Sequence, residues 1–138
     1  LPRRADDPYD GAYTVPRKLH EAGVEFCLAH TDGPSFIRYL PEEAGRAAAY
    51  GLPRDEALRA VTLNAASILG VAHRLGSIEV GKEATLVITD GDLLELTSHV
   101  QLEFISGREV DLSSRHTQLF DKYRTKYERL GLARRSNR

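Results

Sequence analysis

The residue whose neighbours best suit it to chemistry is Asp32. It follows an apolar run, Val24-Glu25-Phe26-Cys27-Leu28-Ala29, and is flanked by His30, Thr31 and Gly33. Residues at the C-terminal ends of parallel strands face the ligand, so a carboxylate there can act as a general base or hold a metal. Asp-Gly is equally an ordinary turn pair, the aspartate bonding its own backbone and the glycine taking positive φ. The local pattern leaves both readings open. His30 could be a ligand or an acid–base partner, since imidazole titrates near neutral pH; a histidine hydrogen-bonded at a strand end is the plainer alternative. The remaining histidines stand at 20, 73, 99 and 116, with no His-x-His pair and no His-Glu-x-x-His helix. Catalytic zinc usually takes three protein ligands and an open position, and no complete metal site can be assembled from such scattered imidazoles.

Other routes to catalysis have less support. The sequence contains no Gly-x-Gly-x-x-Gly, no Gly-x-x-x-x-Gly-Lys-Ser/Thr and no Gly-x-Ser-x-Gly, so neither a phosphate cradle nor a nucleophile elbow is indicated. Cys27 is the one cysteine and lies between Phe26 and Leu28; a packed, inert thiol is expected, and an internal disulfide framework is excluded. Tyr123 and Tyr127 among Lys122, Arg124, Lys126 and Arg129 could form a stacking and phosphate-binding surface, but an amphipathic helix docking on a core accounts for the same spacing.

Composition sets the frame for these residues. The chain has 138 residues, 41% hydrophobic and 28% charged, which is one globular domain's worth of material. Nineteen basic residues against twenty acidic ones leave a formal net charge of -1, giving no long-range pull toward nucleic acid or anionic lipid. The basic tail, Arg134, Arg135 and Arg138, reads as a solvated end. No apolar run approaches the roughly 18 residues that span a bilayer, so a soluble chain without nucleic-acid or membrane partners is expected. Methionine is absent, and the expectation is that polypeptide upstream of Leu1 has been removed or is missing.

Prolines and glycines mark the elements that must position Asp32. Leu1 to Tyr13 reads as irregular chain. A short helix begins at Val15, with Pro16 in its first turn and Gly23 as its stop. The run 24–29 then reads as a buried strand entering a turn. Leu40 to Tyr50 is a helix with Pro41, Glu42 and Glu43 at its start and Gly51 as terminator. A further helix starts at Pro53 and repeats apolar residues at Leu58, Val61, Ala65, Ile68 and Leu69 before Gly70, with Thr62 able to cap a new start at Leu63. The period then falls to two: Ile78 and Val80, Leu86-Val87-Ile88, and Val100, Leu102 and Phe104 predict three short strands. Ser106-Gly107 signals a hairpin into a last strand at Val110. Leu119, Tyr123, Tyr127 and Leu130 predict a closing helix capped by Ser113 or Ser114. One buried parallel strand cannot satisfy its own backbone, so its neighbours must come from elsewhere.

The stretch Leu75-Gly76-Ser77-Ile78-Glu79-Val80-Gly81-Lys82-Glu83-Ala84-Thr85-Leu86-Val87-Ile88 resembles the C-terminal signature of the amidohydrolase superfamily, where the chain leaves the catalytic barrel and completes a small β-sandwich. Ahead of it, residues 50–58 and 61–70 are similar to the helices preceding that signature in imidazolonepropionase-like and Xaa-Pro dipeptidase-like members. Behind it, Phe104-Ile105-Ser106-Gly107-Arg108-Glu109-Val110 resembles the closing hairpin. The similarity runs over about residues 15 to 125. Thr85 stands where relatives commonly have an aspartate.

The resemblance implies an α/β fold class: the C-terminal fragment of a TIM (β/α)₈ barrel, contributing the last strand and its helices, plus part of a β-sandwich and a terminal helix. Its division would be 1–70 for the barrel end, 71–112 for the sandwich part and 113–138 for the helix and tail. A whole barrel needs about 200 to 250 residues, more than this chain has. The implied activity is metal-dependent hydrolysis of C–N bonds in small-molecule or peptide substrates. Asp32 would be the catalytic, metal-contacting acid of the eighth strand, and a divalent metal, zinc in the first instance, the cofactor. The family's His-x-His, bridging lysine and two later histidines belong upstream and have no match here. The implied partner is therefore the missing N-terminal part of the barrel, and the chain alone is expected to be inactive. A homo-oligomer is compatible with this reading. The rival expectation is a non-catalytic interaction module, with Tyr123, Tyr127 and the strand edges forming a subunit contact.

Overall fold

Helix boundaries fall where proline and glycine put them. The computed structural model describes residues 8–30 and 33–132. Helix α1 spans Val15–Glu21 with Pro16 in its first turn. A 3-10 helix, Pro34–Tyr39, runs into α2, Leu40–Ala49. Helices α3, Arg54–Ala60, and α4, Leu63–Ile68, follow. At the end of α2, Gly51 takes φ 96° and donates to Ala48 O at 3.0 Å, while Leu52 N reaches Ala47 O at 3.1 Å. This left-handed closure favours glycine, and it drops Leu52 into the core.

The break at Thr62 is present but differs from the expected cap. The Thr62 hydroxyl donates back to Leu58 O at 2.7 Å and does not cap α4. Back-bonding of this kind competes with capping and bends a helix.

The core is built from small side chains. Ala44, Ala47, Leu52, Ala57 and Leu94 form a buried cluster, with Phe26, Leu28, Ala48 and Val61 packed against it. Alanines let α2 and α3 approach closely. The expected apolar stripe is buried only in part: Val61 packs on the core and Ala65 is half-buried, but Leu58, Ile68 and Leu69 are exposed, while Ala57, Ala60 and Ala66 are buried. Helix α2 also receives the loop around Leu94. A Cβ on Gly45 would collide with the carbonyl oxygen of Leu94, so only glycine permits this approach.

Val24–His30 belongs to no sheet among the described residues. Its contacts run to the helices: Leu28 N donates to Ala60 O at 3.0 Å, and Asn64 Nδ2 to Phe26 O at 3.3 Å. The expected buried strand thus packs one side on the core and lacks ladder partners. For the same reason Cys27 is only half-buried.

A three-stranded antiparallel sheet follows, β1 Leu86–Thr89, β2 Val100–Ile105 and β3 Arg108–Glu109, in the order β1-β2-β3. Leu86 pairs with Phe104 and Ile88 with Leu102. The β2–β3 turn has Ser106 at φ 50° and Gly107 at φ 79°, as a two-residue turn of the primed kind requires. Thr85 Oγ1 accepts from Ser106 N at 3.0 Å and Ala84 O from Gly107 N at 2.8 Å, so Thr85 holds the hairpin in place. Val110 lies just past β3 and donates to Glu103 O at 2.9 Å. The expected strand at Ile78 and Val80 is a turn, with Ile78 88% exposed. Lys82 Nζ donates to Ser77 Oγ at 2.5 Å and Ser77 Oγ to Glu79 Oε1 at 2.5 Å. Local polar bonds win where no partner strand is offered.

Helix α5, Arg115–Arg129, starts in a capping box in which Ser114 accepts from Thr117 N and Thr117 Oγ1 accepts from Ser114 N. It was expected to dock on a core. Among the described residues every position of α5 is exposed and no other element packs extensively on it. No described helix is long and apolar enough to cross a membrane.

Candidate functional site

The candidate site lies where the 24–30 segment meets the 3-10 helix. Thr31 and Asp32 lie outside the described residues, so the geometry on either side of them defines the place. On one side, His30 is half-buried and stacks on Phe36, with ring centroids 5.9 Å apart and planes inclined by 23°. On the other, Gly33 at φ 99° opens the 3-10 turn, and its carbonyl accepts from Phe36 N at 3.1 Å. Phe36 continues to Tyr39 at 6.3 Å. The Arg38 guanidinium sits 4.8 Å from the Tyr39 ring centroid and donates to its hydroxyl at 2.8 Å. An aromatic shelf with one cation therefore follows directly after Asp32 in the chain. Aromatic pairs favour such offset geometry, and the i, i+3 spacing of Phe36 and Tyr39 puts both rings on one face of a 3-10 helix.

The histidines are dispersed. His20 Nδ1 lies 3.9 Å from Glu56 Oε2, and His99 Nδ1 lies 3.3 Å from Asp90 Oδ2. His73 and His116 are exposed in other parts of the chain. Among the described residues no group of three His, Cys, Asp or Glu side chains is gathered that could hold a metal ion.

Three polar clusters escaped sequence reasoning. Arg54 Nε and Nη2 donate to Asp92 Oδ2 and Glu95 Oε1, each at 2.5 Å. This fork ties the start of α3 to the loop after β1; the Arg54 hydrogen bond holds the Asp92 carboxyl below the usual carboxylate range, and Arg54 itself is raised. Asp90 accepts from the His99 backbone N–H at 2.7 Å and from Gln101 Nε2 at 3.1 Å, and the first of these keeps its carboxyl low. Glu79 is lowered by the Ser77 hydroxyl and then by Lys82. The partners of Arg54 are 38 and 41 residues away along the chain, and no local pattern announces them. These clusters fasten turns; none opens onto a cavity beside His30.

Comparison with known proteins decides the family. The sequence model described as "Amidohydrolase family" matches residues 10–116. The chain belongs to the amidohydrolase family. This amidohydrolase chain is 39% identical over 83 residues to an imidazolonepropionase of Syntrophobacter fumaroxidans, covering 57% of this chain and 19% of that protein. It is 45% identical over 76 residues to the imidazolonepropionase of Geobacillus kaustophilus, covering 52% of this chain and 18% of the relative. Amidohydrolase tasK of Hapsidospora irregularis is 31% identical over 88 residues, covering 64% of this chain and 9% of its own length. A crystal structure of an amidohydrolase from Thermotoga maritima MSB8 superposes with a TM-score of 0.68 at 33% identity, over 72% of this chain and 26% of that one. The amidohydrolase chain thus spans about a fifth or less of these curated relatives. The family generally uses a divalent metal, and the described residues do not by themselves fit one.

Proposed function

We propose that this chain is the C-terminal part of a metal-dependent amidohydrolase that cleaves C–N bonds in small-molecule or peptide substrates. The observation that carries the reading is the family match over residues 10–116 in a chain that spans 19% of one relative and 26% of the Thermotoga structure. In this reading residues 1–70 are the end of a (β/α)₈ barrel, 71–112 are part of a composite β-sandwich, and 113–138 are the closing helix and tail. The 24–30 segment is the last barrel strand; its lack of ladder partners and its packing through Phe26 and Leu28 support that role. Asp32 is the catalytic and metal-contacting acid. Its carboxylate takes a proton from the attacking water and returns it to the leaving nitrogen. A divalent metal, zinc in this reading, supplies Lewis-acid polarisation when bound, and its other ligands come from polypeptide outside this chain.

The direct test is the coding sequence upstream of Leu1. An open frame carrying a strand followed by His-x-His is the expected result. A start codon close to Leu1 would remove the partner on which the reading depends and would leave a free-standing interaction module.

A further inference from the structure

Resting on the hydrolase reading, we propose that Arg38 and the rings of the 3-10 helix form the part of the substrate site that selects an acidic substrate, one with a free carboxylate on the group flanking the scissile C–N bond. Phe36 and Tyr39 come four and seven residues after Asp32 in the chain. Loops after barrel strands lie on the face where barrels take their ligands. With residues 24–30 as the last strand, the shelf therefore falls beside the chemistry. It is also firmly mounted. The 3-10 helix runs without a break into α2, whose Ala44 and Ala47 are buried in the core, and His30 stacks on Phe36 from the preceding segment.

The Arg38 guanidinium is fixed without a counter-charge. Arg17, Arg46, Arg54, Arg74 and Arg124 each face a carboxylate. Arg38 is held instead by the Tyr39 hydroxyl, which accepts from Nη2 at 2.8 Å, and by the Tyr39 ring 4.8 Å away, and it forms no ion pair among the described residues. Pinning the guanidinium on a tyrosine removes rotamer freedom ahead of binding. Its other N–H groups are left for a planar acceptor with two oxygens, the fork that a carboxylate fits.

The surroundings narrow the ligand further. Phe36 and Ile37 are 45% and 55% exposed beside this one positive charge, so an apolar surface adjoins the cation. Polypeptide that covered it without bringing an anion would strand the charge away from water. Residues 33–40 hold no second cation, and one guanidinium matches one carboxylate better than a doubly charged phosphate. The substrate class that fits is a C–N compound with an apolar or aromatic body ending in a free carboxylate.

The polypeptide that includes the upstream frame tests this with two matched probes, 3-phenylpropionate and the uncharged 3-phenylpropanol. Calorimetry should show the acid binding about tenfold or more tighter than the alcohol, and Arg38→Gln should remove that preference. Tyr39→Phe, which takes away the hydroxyl that holds the guanidinium, should remove a smaller part of it. Phenylglyoxal should modify Arg38, located by mass spectrometry, and the acid but not the alcohol should protect it. Equal or absent binding of the two probes by the wild type, or a preference that survives Arg38→Gln, would overturn the proposal. So would an Arg38 closed to phenylglyoxal together with a lower unfolding midpoint in Arg38→Gln, the signature of an ion pair with upstream polypeptide. Failure of the hydrolase reading is separately visible: wild-type turnover in Asp32→Asn would remove the assigned chemistry and leave the Arg38-dependent preference in place.

Discussion

Asp92 and Asp90 show how single side chains hold the turns of this molecule. Asp92 is kept ionised first by the Arg54 hydrogen bond and then by the Leu94 backbone N–H, and Asp90 first by the His99 backbone N–H. Both carboxyls lie below their ordinary value when folded, so their contribution to stability is present above the unfolded value of about 4. It is lost as pH falls through the lower folded value. Urea midpoints measured at descending pH should therefore drop for the wild type, and Asp92→Asn should flatten that drop while lowering the midpoint at neutral pH. An unchanged acid profile in Asp92→Asn would deny the fork a stabilising role. Salt should reduce the effect, because all three groups of the fork are solvent-exposed. Gly45 acts by absence: alanine there would push against the Leu94 carbonyl, and overpacking of this kind costs about 1–3 kcal/mol. Denaturant unfolding of Gly45→Ala measures it; a variant as stable as the wild type would mean that the 92–96 loop is free to move away.

At the scale of elements, the helices were legible and the strands only in part. Pro16 and Pro41 near helix starts and Gly23, Gly51 and Gly70 at helix ends are steric instructions that act within a few residues, so α1, α2 and the broken α3–α4 pair follow the sequence closely. The Ser106-Gly107 turn is equally local. Ile78 and Val80 misled because alternation says only that a segment could pair; Ser77, Glu79 and Lys82 bond one another instead. The run 24–29 is a different case, expected to need neighbours from outside this chain. Its composition asks for neighbours on both edges, and this chain's described residues provide only the helices beneath it. Of the stripe Leu58, Val61, Ala65, Ile68 and Leu69, Val61 meets the core while Leu58, Ile68 and Leu69 face outward, since periodicity does not say which residues find a partner. Helix α5 stands alone, which makes its cap separable from the core. Ser114→Ala should cost the helix about 0.5–2 kcal/mol, seen as lost helical signal, with the unfolding midpoint of the α2–α3 core unchanged. A parallel fall in that midpoint would mean that α5 supports the body.

Over the whole molecule, the buried core is small and alanine-rich while many large apolar side chains stay exposed. Phe36, Ile37, Leu69, Ile78 and Leu96 are exposed together with Val87, Ile88, Val100, Leu102 and Ile105 of the small sheet. Large exposed patches mark surfaces that another polypeptide covers, in keeping with a chain that spans about a fifth of its relatives. Of the candidate site, the sequence singles out Asp32, an acid after an apolar run, but that residue lies outside the described ones and its role stays a proposal. The His30–Phe36 shelf was not legible, since ring contact depends on how the 3-10 turn folds back. The ligands expected of the family could not be found because no matching pattern occurs in these residues. The central claim is that Asp32 works in a site completed by upstream polypeptide. Turnover of a C–N substrate by the polypeptide that includes the upstream frame, measured for wild type and Asp32→Asn, tests it most directly. The expected result is a fall in kcat of about a hundred- to ten-thousandfold with an unchanged unfolding midpoint, and no turnover by residues 1–138 alone. Wild-type rates in Asp32→Asn, or turnover by this chain alone, would contradict it.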